Sequence, residues 1–117
     1  MEFTAFELYV MHTGIGNTSG ASMADARNRD RLLDALEFTD DEKAAIGWHE
    51  VLLDNGSYVP VFRDDAILER TFTEVQMARM RAILTSPDAV SMIKARVFGV
   101  YEAALTKIGW VDMEEDA

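Results

Sequence analysis

The 117-residue chain contains no cysteine, only two prolines and no long uninterrupted apolar run. Without cysteine, disulfides and thiolate metal sites are excluded. With so little proline, few positions forbid a regular helix or strand. No stretch approaches the roughly 18 apolar residues that a membrane-spanning helix requires. Positive charge is also scarce: 11 basic residues stand against 21 acidic ones, for a formal net charge of −10. That excess repels nucleic-acid phosphates and anionic lipid, so neither direct nucleic-acid binding nor membrane association is expected. The first ten residues carry Glu2 and Glu7 and no basic residue, which argues against a secretory leader.

Half of the chain, 49%, is hydrophobic. This is enough to bury a core within one domain spanning 1–117. The acids are unevenly distributed. Residues 21–70 hold twelve acids and six bases, whereas residues 71–110 hold three acids and five bases, and four more acids fall in the tail at 112–117. The tail is expected to fray. An acidic middle segment beside a mildly basic one does not suit a uniformly DNA-like surface; the acids either confer solubility alone or form a patch that meets a basic site on another protein.

Periodicity and punctuation divide the chain into short elements. Phe3, Phe6 and Val10 share a helical stripe over residues 3–12, and GIGNTSG (14–20) reads as a flexible connector. Ser22 is placed to cap a helix reaching about Leu36, with Met23, Ala26, Leu32 or Leu33, and Leu36 facing inward and Arg27, Arg29, Asp30, Arg31 and Asp34 facing water. Thr39 and Glu42 form a capping box for a brief third helix that Gly47 ends. Asn55-Gly56 between WHEVLLD and SYVPVFR signals a β-hairpin. A two-residue turn would set Leu53 opposite Tyr58, Val51 opposite Pro60 and His49 opposite Phe62. One face of this hairpin should lie on the helices, because two strands alone are marginal in water.

Residues 64–70 read as a linker or a helical turn. Thr73 and Gln76 form a second capping box, with Phe72 placed to staple onto Met77, and Met77, Met80 and Leu84 as the apolar stripe. Ser86-Pro87 starts a last helix expected to run to Ile108, where Gly109 closes it. The fold class is therefore α+β, predominantly α, with about five helices and one hairpin at about 48–63 inserted mid-chain.

Chemical motifs are sparse. The glycine-rich segment lacks the Gly-Lys-Ser/Thr that would reach nucleotide phosphates. His12 and His49 have no second histidine at ligand spacing, the serines include no G-x-S-x-G, and the acid pairs Asp40/Asp41 and Asp64/Asp65 fit capping and solvation. No catalytic residue, metal ligand or cofactor is assigned. Seven methionines suit core filling, and Trp48, Tyr58, Phe62 and Trp110 are candidate exposed anchors for a partner.

The order L-x-x-x-L-x-F-T-x-x-E-x-x-x-I-G from Leu32 to Gly47, then a hairpin, then F-T-x-x-Q at Phe72–Gln76, resembles a group of small phage-encoded proteins without an assigned activity. The resemblance runs from Leu32 to about Leu105 and does not include the glycine-rich segment. It implies a phage protein acting in the bacterial host cytoplasm and supplies no catalytic residues. The expected function is non-catalytic, inhibiting or modulating a bacterial host or defence protein that offers a basic surface. The expected contact residues are Asp40, Asp41, Glu42, Asp64, Asp65 and Glu69, with Trp48 and Tyr58 as apolar anchors. A homo-oligomeric assembly protein, with a homodimer as its simplest form, is one competing reading. A small metal-dependent hydrolase built on His12 and His49 is another.

Overall fold

In the computed structural model, which describes residues 1–111, the chain folds as a predominantly helical α+β structure. Its elements in order are β1 (Glu2–Thr4), α1 (Ala5–Gly16), α2 (Met23–Leu36), α3 (Asp40–Ile46), β2 (His49–Leu52), β3 (Tyr58–Val61), β4 (Ile67–Glu69), α4 (Glu74–Leu84), α5 (Pro87–Val90), a 3-10 turn (Ala95–Val97) and α6 (Phe98–Lys107). The tail expected to fray lies outside the described residues.

One device starts three of the helices. Thr4, Thr39 and Thr73 each accept the N–H of the residue three positions on, and Glu7, Glu42 and Gln76 each reach back to the threonine N–H. Each threonine follows a phenylalanine, and Phe3 and Phe72 are buried edge to face at 5.7 Å between ring centroids. The two expected boxes form, and the third is Thr4–Glu7. It places Phe3 in a strand, which corrects the helix expected from residue 3. The strand pairs antiparallel with β4, Phe3 lying opposite Leu68, so residues 67–69 are neither linker nor helix. Pairing across some 60 residues leaves no local trace that periodicity could detect.

α1 is the central element, packed by α2, α4 and α6. It extends through Gly14 and Gly16, so the connector is shorter than expected. At Gly14 the absence of a side chain lets Tyr101 and Leu84 close on the helix: an added Cβ would sit 2.7 Å from Leu84 Cδ2 and 3.3 Å from Tyr101 Cε2. In α2 the expected Ser22 cap forms and Leu32 and Leu36 are buried, but Met23 and Ala26 face solvent. Arg29 instead turns inward, donating to Thr18 and pairing with Asp25.

The expected long last helix is broken. α5 ends after one turn, and Lys94 is extended before the chain enters the 3-10 turn. The break lets α6 return against α1, where Tyr101, Ala104, Leu105 and Ile108 are buried. The Tyr101 hydroxyl donates to the Leu84 carbonyl at 2.5 Å, satisfying an acceptor that the end of α4 leaves free. Gly109, at φ +97°, ends α6 as expected, and the Trp110 N–H donates back to Leu105 O.

The β2–β3 register differs by one residue from the expected one. Leu52 faces Tyr58, Val51 faces Val59, Glu50 faces Pro60 and His49 faces Val61. A two-residue type I′ turn needs positive φ at both Asn55 and Gly56, but only Gly56 has it, at +84°. The chain forms a three-residue loop instead, with Gly56 N–H donating to Leu53 O and Leu53 N–H to Ser57 O. That single step brings Phe62 onto the same face as Trp48.

Candidate interaction surface

The root of the hairpin is fastened by four aromatic rings. Trp48 and Phe62 stack with centroids 5.4 Å apart and planes 19° apart, and Phe38 and Tyr9 pack on both edgewise or at a tilt. Lys43 Nζ lies 5.5 Å from the Trp48 ring centre. Trp48 and Phe62 are thus half-buried, as is Trp110, which removes all three from the expected exposed anchors. Beyond this root the hairpin leaves the helices. The expectation that one face lies on them fails, since Val51, Leu52, Leu53, Tyr58, Val59 and Val61 are all exposed, Tyr58 by 63%.

The acidic candidates sort by their partners. Arg70 holds Glu42 with both ends of its guanidinium, Nη1 at 2.5 Å from Oε2 and Nη2 at 2.7 Å from Oε1. The hydrogen bond from Arg70 is the main cause that holds the Glu42 pKa below its usual value, against an opposing effect of burial. Glu42 is therefore committed internally, which corrects its place on the free surface. Asp40, Asp41, Asp64, Asp65 and Glu69 are exposed. The same arginine also donates to Ala35 O, Glu37 O and Glu69 O.

Arg70 ties the start of α3 to β4, while Arg63 N–H donates to Ile46 O at the helix end. α3 therefore runs alongside residues 63–70 in the opposite direction. Asp40, Asp41 and Glu69 fall toward one end of this strip, and Asp64 and Asp65 toward the other, about 10 Å away along a seven-residue helix. The hairpin leaves from the Ile46–Arg63 end of the strip, beside Asp64 and Asp65.

Sequence reasoning marked Tyr58 as an exposed anchor but missed the exposed aliphatic side chains of the hairpin, Val51, Leu52, Leu53, Val59 and Val61. The available signal was that WHEVLLD and SYVPVF carry apolar residues at both parities, so neither face could be wholly covered or wholly polar. It also missed Glu7, which is buried, caps Thr4 and accepts from Lys107 Nζ at 2.6 Å.

The histidines do not share a site. His12 lines a small cleft with Lys43 and Trp48, whereas His49 is exposed with Nδ1 2.9 Å from Gly47 O. Among the described residues no three His, Cys, Asp or Glu side chains gather as metal ligands, so the convergence that the hydrolase reading needs is not formed there. A larger cleft of about 310 Å³ between α1 and the broken 87–97 segment is mostly apolar, with Thr13, Asn17 and Lys94 among its polar members. Among the same residues no helix is long and apolar enough to cross a membrane. No family model, curated protein or solved structure matches this chain.

Proposed function

We propose that this chain is a non-catalytic binding protein of the phage accessory type, which inhibits or modulates a bacterial protein by covering a basic site on it. The observation that carries this reading is an arm of exposed apolar side chains emerging at one end of a strip of exposed acids. Apolar anchors ringed by charge are how protein interfaces combine affinity with selectivity. Tyr58 is the anchor of choice, being aromatic and exposed. Asp40, Asp41, Asp64, Asp65 and Glu69 supply the field that draws in a basic partner. The host cytoplasm is the compartment this reading assigns, on the phage resemblance.

The test is affinity capture from a bacterial lysate with three baits: the wild-type chain, Asp40→Lys/Asp41→Lys and Tyr58→Ala. The reading expects a protein held by the wild type and lost or strongly depleted with both variants. Equal recovery by all three baits rejects this surface.

A further inference from the structure

The two outer edges of the hairpin are not equivalent. Leu53 and Ser57 form a hydrogen-bonded pair across the loop, so hydrogen-bonded and non-hydrogen-bonded pairs alternate down the ladder. Val51–Val59 and His49–Val61 then exchange bonds within the hairpin, while Leu52–Tyr58 and Glu50–Pro60 point their backbone groups outward. On β3 the outward position in mid-strand is Pro60, which has no N–H, so that edge is closed to another strand. On β2 the outward N–H and C=O groups belong to Glu50 and Leu52, both exposed. The β2 edge is open, short and flanked by apolar side chains, the type of edge that accepts another strand.

We infer that the open β2 edge pairs antiparallel with β2 of a second copy, making a four-stranded sheet about a two-fold axis at Val51. The charge pattern selects this register. With Glu50 centred, each Glu50 would face its own copy; with Leu52 centred, Glu50 would face Asp54 of the other copy. Like charges directly opposite one another destabilise a sheet. With Val51 centred, Glu50 faces Leu52, and the two residues exchange both backbone bonds, twice over by symmetry. The rows of Val51, Val59 and Val61 then join into one apolar face of six valines. This inference does not rest on the basic-partner reading, and by the alternation of the ladder Tyr58 lies on the face opposite the valines.

Sedimentation equilibrium over a range of micromolar concentrations, at low and high salt, gives the first measurement. The mass is expected to rise from 13.1 kDa toward twice that value, more readily at high salt, which screens two acidic copies from each other. Val51→Glu places like charges on the axis at an exposed site and is expected to remain at 13.1 kDa with an unchanged circular dichroism spectrum. The native chain has no thiol, so Val51→Cys and Val59→Cys can be compared directly. Residues opposed at a non-hydrogen-bonded pair have Cα atoms about 4.5 Å apart, within disulfide reach. Val51→Cys should therefore cross-link under mild oxidation far faster than Val59→Cys on the neighbouring strand. A constant monomer mass, an oligomer that survives Val51→Glu, or equal cross-linking rates would each overturn the inference.

Discussion

Arg70 and Glu42 show how much one pair of side chains organises. The guanidinium bridges α3, the end of α2 and β4 through two carboxylate bonds and three carbonyls. Glu42→Gln preserves an oxygen for the cap but loses the ionic partner, and is expected to cost about 1–2 kcal/mol at neutral pH. Since the folded pKa of Glu42 lies below its usual 4.5, this contribution is complete above that value and is lost as pH falls through the folded pKa. Urea denaturation at pH 7 and near pH 3 should show the variant and wild type converging in acid; an equal gap at both pH values contradicts the assignment.

Tyr101 works in the opposite direction. Burial pushes its phenol up to about 12 from 10.0, so its contribution is complete below 10 and is lost as pH rises toward 12. Tyr101→Phe leaves Leu84 O without its donor and should lose about 1–2 kcal/mol. Phenolate absorbance should keep a component rising near pH 12 in the wild type and lose it in the variant. Gly14 and Gly16 form a matched pair. Alanine at Gly14 must displace buried Leu84 or the hydrogen-bonded Tyr101, an overpacking that outweighs its helix propensity by about 1 kcal/mol. At Gly16 an added Cβ meets nothing within 4 Å, so alanine there should stabilise by about 0.5 kcal/mol. Thermal melts of Gly14→Ala and Gly16→Ala should move in opposite directions.

Among the elements, those with local causes were legible in the sequence. The Thr39 and Thr73 boxes, the Ser22 cap, Ser86-Pro87, and the stops at Gly47 and Gly109 all act within four residues of themselves. The elements that depend on distant partners were not. β1 and β4 exist because each completes the other, and the Phe3–Phe6–Val10 spacing imitated a helix where the first residue is a strand. The break after α5 follows from the return of α6 to α1, which no stripe over 87–108 encodes. The acid strip was half legible. Composition placed the acids in the middle segment, but only the fold showed Arg70 withdrawing Glu42 and the ladder turning Trp48 inward onto Phe62.

The hairpin is the element whose stability depends most on one contact. Two strands are marginal in water, and this pair touches the body through Trp48 and Phe62. Trp48→Ala removes the stack and the packing of Tyr9 and Phe38 on it, at about 2–3 kcal/mol. Amide hydrogen exchange should then rise sharply at Val51, Val59 and Val61, while Leu8 and Met11 in α1 remain the better protected. Uniform loss of protection across both regions would mean that the hairpin is not a separately anchored unit.

At the scale of the whole molecule, acid exceeds base by a formal net charge of −10. Three basic side chains are engaged internally, Arg29 with Asp25, Arg70 with Glu42 and Lys107 with Glu7, and Arg81 holds Ile108 O at 2.5 Å. Asp40, Asp41, Asp64 and Asp65 face solvent with no ion pair among the described residues, while Glu69 is met by the N-terminal ammonium at 3.3 Å. A surface of this kind acts at long range and is weakened by salt, whereas an apolar arm acts only on contact. The proposed binding mode is therefore electrostatic capture by the strip followed by apolar docking of the hairpin. The most direct test is the salt dependence of affinity for the captured protein, titrated with the wild type and with Asp40→Lys/Asp41→Lys. Affinity should fall steadily as salt rises, and the charge-reversed chain should bind more weakly with a shallower dependence; an affinity indifferent to both salt and charge reversal would contradict the account.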